Sequence, residues 1–382
     1  MKKLSTRKYY LGTTIILLYM VLVFFPRPVE AERVNKTYFK SLRVGVVGDT
    51  GIGERAYHEG FIAVAKALKN QHPDLLLHLG DFVYQPKMFP RICPDRYILE
   101  IVKTLANPFQ FKLFVPGDND LPPDPKNPKG SGCWETIDQL DSDFDSYPAL
   151  TEKPAPYEGT MIHQNTFFAV LNTYPWQNPT PWLKPRIEEA RDKGLWIIIA
   201  LHEPAITTAW YLEKRDTVLK QLNSLKPDLV LAGNQHSYER FHPIGIPNQD
   251  RTLPFTPSES GSYARGDGTI HLILGGGGAA FKPFADQQGY KKRTAPKEVF
   301  DALATRALIN HFLILEIEQK TLKATTYLVC SKTNSGKPKN PRWRSDHSMW
   351  DAIILECEGK EPGVTAFDQF QIRSQRTEDI VK

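Results

Sequence analysis

The sequence predicts a layered α/β fold. Three observations carry that prediction: strand-like and helix-like apolar patterns alternate through the first half of the chain, strands dominate the second half, and the composition suits a folded protein. Of 382 residues, 41% are hydrophobic, 24% charged and 30 are Pro, which excludes a disordered or collagen-like chain. No repeat of roughly 20 to 50 residues suggests a solenoid, and one catalytic-size domain accommodates most of the length.

The elements follow in order. Leu42 to Val47 is a short apolar run ending at Gly48 and Asp49, as a buried strand feeding a loop does. Tyr57 to Asn70 places Tyr57, Phe61, Ile62, Val64, Ala65 and Leu68 at helical spacing. Leu75 to Leu79 is a second strand, ending at Gly80 and Asp81. Asp95 caps a helix carrying Tyr97, Ile98, Ile101, Val102 and Leu105, and Phe111 to Val115 is a third strand, ending at Gly117 and Asp118. Phe167 to Leu171 and Trp196 to Leu201 read as strands around a helix that starts after Pro181. A helix near Leu212 to Leu225 leads to the strand Asp228 to Ala232. Strands follow at Ile270 to Leu274, Phe312 to Ile317 and Leu322 to Val329. Alternation predicts parallel pairing in the first half, and the strand-rich second half adds a mixed or second sheet.

The N-terminus reads as an export signal. Lys2, Lys3, Arg7 and Lys8 precede the apolar run Tyr9 to Phe25, and Val29, Glu30 and Ala31 offer a V-x-A cleavage site. The run is short of the roughly 20 residues of a spanning helix, which favours cleavage over retention as a membrane anchor. Removing residues 1–31 reduces the net charge from +5 to about +1, so the basic character is mostly a property of the leader and a nucleic-acid partner is not expected. The four cysteines, Cys93, Cys133, Cys330 and Cys357, fit an oxidising compartment, with three pairings open.

Residues 121–160 are Pro-rich and acidic around Asp138 to Asp145, and read either as an insertion at the mouth of a site or as a solvated excursion. Ser331 to Arg344 and Lys291 to Arg293 are basic clusters, most simply solvated loops. Gly275 to Gly278 is either a tight turn, the plainer reading, or a close backbone approach to the site; without a following G-K-[ST] it is not a P-loop.

Chemistry enters at the strand ends, where ligands of open α/β sheets bind. Successive predicted strands end in Asp49 (GDTG), Asp81 and Tyr84 (GDFVY), Asp118 (PGDND), His202 (ALHEP) and His236 (AGNQHSYER). One such acid is ordinarily a turn former and one such His a satisfied polar residue; a series of them needs a common cause. Two metal ions supply it, because carboxylates, a phenol and imidazoles converging on one face need cations among them, and Asp81 on the central strand is the natural bridge. His78 sits mid-strand and reads as core.

This ordered set resembles the calcineurin-like metallophosphoesterases, and within them the purple acid phosphatases, over roughly Leu42 to Gly278. The resemblance implies a layered α/β/β/α sandwich with two mixed sheets. It also implies Asp49, Asp81, Tyr84 and His236 around a first metal, with Asp81 bridging to a second held by His202. Residues 40–330 would form this domain, and 331–382 a basic loop, a last strand and a tail. Where the family has G-N-H-D/E, this chain has Gly117, Asp118, Asn119 and Asp120, so a carboxylate replaces the metal-binding amide and Asn119 replaces the catalytic histidine. Where the family has G-H-x-H, this chain has Gly233, Asn234, Gln235 and His236. A second site of Asp81, Asp118, His202 and the Asn234 carbonyl is oxygen-rich and shifts preference from zinc toward manganese, magnesium or iron. A small loop adjustment would let Asn119 face that metal instead.

The expected activity is therefore hydrolysis of a small phosphorylated substrate, a monoester or anhydride, by a metal-bound hydroxide at a dinuclear centre. Iron is expected in the first site and iron, manganese, zinc or magnesium in the second. Without the histidine, hydrolysis is expected to be slower and biased toward leaving groups that need no proton, unless His163, His242 or Glu203 substitutes. The rivals are a non-catalytic metal-binding relative and a phosphodiesterase or nuclease. A membrane partner follows only if the leader stays uncleaved.

Overall fold

The computed structural model describes residues 41–50, 58–84, 101–123, 130, 132–134, 136–137, 157–279, 281–282, 284–286, 292–331, 357 and 360–374. The leader, the basic run 332–344 and the acidic stretch 138–145 lie outside the described residues, as do Asp95, Tyr97 and Ile98 of the helix expected before the third strand. No described helix is long and apolar enough to cross a membrane.

The described strands form two seven-stranded mixed sheets. In the first, β1 (Leu42–Val47), β2 (Leu75–His78) and β3 (Phe111–Phe114) run parallel in the order β3-β2-β1. Then β12 (His311–Ile317), β13 (Thr321–Cys330) and β14 (Gly363–Arg373) continue antiparallel, and β9 (Ser262–Ala264) closes that edge. In the second, β5 (Thr166–Leu171), β6 (Trp196–Leu201), β7 (Leu229–Ala232) and β10 (Ile270–Leu274) run parallel. Their edges are completed by β4 (Gly159–His163) on one side and by β8 (Tyr238–Phe241) and β11 (Leu303–Ala307) on the other.

Side-chain alternation explains the layering. Leu42, Val44 and Val46 of β1 meet Trp196, Ile198 and Ala200 of β6 in one core between the sheets. The opposite face of the first sheet, with Val47 and Leu76, packs on Phe61, Val64 and Leu68 of α1 (His58–Lys69). The opposite face of the second, with Ile197, Ile199 and Leu201, packs on α2 (Thr180–Asp192) and α3 (Lys214–Ser224) through Leu183, Ile187, Leu219 and Leu222. Strands buried on both faces carry no polar alternation, which is why their runs are continuously apolar. The result is the expected α/β/β/α sandwich.

Between the β10 end and β1, Gly275 to Gly278 make the close approach rather than only a turn. The Gly277 N–H donates to the Gly48 carbonyl at 2.9 Å, and a Cβ at Gly275 would lie 2.1 Å from the Gln235 carbonyl oxygen. Cys330 and Cys357 are bridged, with Cα atoms 5.6 Å apart, and Cys133 is also disulfide-bonded.

Candidate metal centre

The carboxyl ends of β1, β2, β3, β6 and the β7–β8 connection converge. Two groups of donor atoms form there, Asp49, Asp81 and His236, and Asp81, Asp118 and His202; within each group the donor atoms lie within 4.8 Å of one another. Asp81 belongs to both. Asp49, Asp81 and His202 are fully buried.

Local backbone conformation aims these groups. Asp49 (φ 56°) and Asp81 (φ 57°) both adopt the left-handed region, as does Asn234 (φ 61°). Such a conformation is costly for a residue with a Cβ and persists where the surroundings impose it. Glycines of the neighbouring loops leave room for the carboxylates: a Cβ at Gly117 would lie 2.2 Å from Asp81 Oδ1, and one at Gly233 2.6 Å from Asp49 Oδ2. Asp120 clamps the third loop to the second. Its carboxylate accepts the main-chain N–H groups of Asp81 (2.7 Å), Phe82 (2.9 Å) and Gly117 (3.0 Å).

At the first group, the Tyr84 hydroxyl donates to Asp49 Oδ1 at 2.9 Å and lies 3.0 Å from His236 Nε2, which is itself 3.2 Å from Asp49 Oδ1. Burial, with the Asp49 and Asp81 carboxylates, pushes the Tyr84 phenol well above its usual range. A cation in place of uncompensated carboxylates acts in the opposite sense and favours the phenolate. At the second, His202 Nδ1–H donates to the Leu79 carbonyl at 2.6 Å, which directs Nε2 at Asp81 Oδ1 (3.3 Å) and Asp118 Oδ1 (3.5 Å), where a cation would take the place of a proton. That Nε2 is buried without a hydrogen-bond partner. Burial pulls the His202 imidazole down, but Asp81 and Asp118 outweigh it and raise it well above the usual range. Burial opposes ionisation of Asp81, yet attraction to His202 holds its carboxyl below the usual range. A buried imidazole nitrogen aimed at carboxylates is the donor arrangement a divalent cation satisfies, so the residues fit two metals of oxygen and nitrogen preference.

Each sequence-predicted residue can be placed. Asp49, Asp81, Tyr84, Asp118, His202 and His236 come together. Asn119 lies against the bridge, its N–H donating to Asp81 Oδ1 (3.0 Å) and its side-chain amide to Asp81 Oδ2 (2.7 Å) and Asp118 Oδ1 (3.3 Å). Asp118 enters the second donor group, and the Asn119 side chain, beside it, braces Asp81. Asn234 reaches the centre through its main chain, donating to Asp49 Oδ2 at 2.8 Å; its carbonyl accepts from Lys282 Nζ (2.6 Å) and its side-chain amide donates to the Tyr174 hydroxyl (3.3 Å).

The substitutes for the absent histidine fall elsewhere. His163 pairs with Thr166 at the start of β5, the opposite end from His202. His242 sits beyond β8 against Tyr263, 2.9 Å from its hydroxyl. Glu203 is taken by Lys214 Nζ at 2.9 Å. Sequence reasoning missed Tyr174, whose ring centroid is 6.1 Å from that of His202, and Lys282. Tyr174 follows β5 and obeys the same strand-end rule, so that signal was available; Lys282 arrives by loop packing and carried none. His78 is core-buried as read, stacked on Phe82 with centroids 3.6 Å apart, and burial pulls it down to about 3.

Residues 42–238 match the calcineurin-like phosphoesterase family. The chain belongs to that family. A 108-residue stretch of this calcineurin-like phosphoesterase is 32% identical to an uncharacterized protein, Rv2577, of Mycobacterium tuberculosis, covering 26% of this chain and 20% of that one. A stretch of the same length is 30% identical to "Probable inactive purple acid phosphatase 1" of Arabidopsis thaliana, covering 26% and 17%. The match thus spans about a fifth of the length of these relatives. Among solved structures, a purple acid phosphatase from yellow lupin (Lupinus luteus) seeds superposes with a TM-score of 0.57 at 16% identity, over 90% of this chain and 55% of that one. PhoD does so with 0.51 at 10% identity, over 87% and 70%. Both similarities concern the fold.

Proposed function

We propose that this chain is an exported, metal-dependent phosphoesterase acting on phosphate monoesters or anhydrides of a small phosphorylated substrate. The observation that supports this reading is the sharing of Asp81 by two groups of metal-compatible donors at the carboxyl ends of parallel strands. Two cations held there would supply a nucleophile at neutral pH and neutralise charge on the phosphoryl oxygens. Iron suits the first group, where Tyr84 adjoins Asp49 and His236; iron, manganese, zinc or magnesium suits the oxygen-rich second group. The leader and the bridged cysteines favour export.

The chain's own residues prepare the site. Leu79 fixes the His202 tautomer, Asp120 holds the Gly117–Asn119 loop against Asp81, and Asn119 orients both oxygens of Asp81. None of these groups replaces a proton donor at the leaving group, so aryl phosphates and anhydrides are the favoured substrates. The test is hydrolysis of p-nitrophenyl phosphate by protein loaded with iron, manganese or zinc, alongside Asp81→Asn. The wild type turns over and binds two ions; Asp81→Asn loses most of both. No turnover with two bound ions would sink the enzymatic reading.

One observation pair favours a second reading, a non-catalytic metal-binding relative. Asn119 and Asn234 replace both motif histidines, and one relative bears the name of an inactive phosphatase. In that case metal binds and depends on Asp81, with no rate to lose.

A further inference from the structure

An imidazole in an apolar core is costly unless its nitrogens are hydrogen-bonded, and His78 uses both. It lies three residues before Asp81 and is fully buried, as are Thr50 and Asp81. The Gly80 N–H donates to His78 Nδ1 at 3.1 Å, so that nitrogen carries the lone pair and the ring proton sits on Nε2. Nε2–H donates to Thr50 Oγ1 at 3.3 Å, and the Thr50 hydroxyl donates in turn to the Phe82 carbonyl at 3.3 Å. The three bonds form one ordered chain with a donor and an acceptor at every step.

That chain joins two loops of the metal centre. Gly80 and Phe82 flank Asp81, and Thr50 adjoins Asp49. Among the described residues, the main-chain ladder between these loops ends where the Asp49 N–H meets the Gly80 carbonyl at 2.9 Å. Beyond that point Thr50 is hydrogen-bonded to the second loop through its hydroxyl. An apolar side chain at position 78 could still stack on Phe82, as the His78 ring does at 3.6 Å, but would release the link. The first donor group draws on both loops, through Asp49 and Asp81, whereas the second takes Asp81, Asp118 and His202 and nothing from the Thr50 loop. We propose that His78 and Thr50 are positioning residues that lock the Asp49 loop to the Asp81 loop and set the spacing of the first donor group. The inference rests on the two-ion reading of the centre and is independent of turnover.

The test titrates the metal-free full chain with manganese(II) by calorimetry and records the electron paramagnetic resonance spectrum, in which neighbouring ions couple and a lone ion does not. Thr50→Val, which keeps the side-chain shape and removes the hydroxyl, is expected to weaken one of the two ions by about 10- to 100-fold and to leave the other within about threefold. At limiting manganese its spectrum becomes that of a lone ion. His78→Asn, which keeps an acceptor for the Gly80 N–H and drops the Thr50 contact, does the same. The double variant is no weaker than the weaker single one, because both break one link. Thr50→Ser, which restores the hydroxyl, binds as the wild type does. In a His236→Asn background, where the first group has lost a donor, Thr50→Val leaves the remaining ion unaffected. Circular dichroism checks each fold, and the Thr50 variants decide alone if His78→Asn does not fold. The proposal is overturned if Thr50→Val binds both ions as the wild type does, if it weakens both equally, as a general loss of stability would, or if Thr50→Ser fails to rescue. A wild type that binds fewer than two ions overturns the two-ion reading and this inference with it.

Discussion

Replacing Asn119 by histidine tests the reasoning about the leaving group most directly. Asn119 stands where the family carries its proton-donating histidine, and its side chain gives 2.7 and 3.3 Å hydrogen bonds to Asp81 and Asp118. Its N–H bond to Asp81 Oδ1 at 3.0 Å is main-chain and survives substitution. General acid help is worth about 10² to 10⁴ in rate, or about 2.7 to 5.5 kcal/mol in the barrier. Against this stands the loss of one charge-assisted hydrogen bond to the bridging carboxylate, worth about 1.5 to 3 kcal/mol. That loss weakens the centre for every substrate equally, whereas the acid benefits only poor leaving groups. Asn119→His therefore lowers or leaves unchanged kcat/KM for p-nitrophenyl phosphate and raises it for glycerol phosphate. The aryl-to-alkyl ratio contracts by about 10² or more. Steady-state kinetics on both substrates, at equal metal content, measure it. A ratio unchanged within a factor of about three would show that the missing histidine does not limit the proposed hydrolysis.

Three further outcomes follow from the same geometry. Gly117→Ala would place a Cβ 2.2 Å from Asp81 Oδ1, so metal content measured by emission spectroscopy should fall by more than half while the circular dichroism spectrum is retained; full occupancy would refute the close-approach argument. Asp368→Ala removes the partner of Arg240 (2.6 and 3.0 Å) and of the Tyr238 hydroxyl (2.6 Å), severing a buried tie between the sheets, and should cost about 3 to 5 kcal/mol in urea unfolding. Burial depresses His271 to about 3 and His311 to about 4, so on acidification the unfolded chain takes up protons near the ordinary histidine range while the folded one does not. Their contribution is full above about pH 6.5 and declines as pH falls toward 4 by about 1.4 kcal/mol per unit for each residue; denaturant midpoints should drop across that window, and His271→Asn should shallow the slope.

The strands legible in the sequence were those buried on both faces. β1, β6 and β10 begin and end where their continuous apolar runs do, and β2, β3, β5, β7, β12 and β13 deviate by a residue or so at their ends. β4, β8, β9, β11 and β14 were not delimited, for a common physical reason: each lies at or near a sheet edge or carries charged and polar residues. β8 reads YERF because Glu239 is satisfied by Thr207 and Thr208 and Arg240 by Asp368, partners contributed by distant segments. Tertiary pairing of this kind leaves no period in the local sequence.

The site was legible for a different reason. A loop that must turn out of a buried strand and present a carboxylate within one residue has few solutions, and this chain uses one repeatedly: Gly48-Asp49 and Gly80-Asp81, with the acid at φ near 57° and no room beside it for a Cβ. Strain of that form is written into the sequence as a glycine-acid pair after an apolar run, so the metal-compatible donors could be read before their distances were known. What could not be read is what surrounds them. Asp120, Tyr174 and Lys282 act through main-chain and side-chain contacts made after the strands assemble, and Asp120 in particular resembles a metal ligand by its position in the PGDND run. Its three main-chain donors occupy it instead, while burial and the nearby Asp81 charge push its carboxyl well above the usual range. An acid in such a loop is thus a ligand or a clamp according to which way its neighbour's N–H points, a choice fixed by the packing of β2 against β3 rather than by residue type.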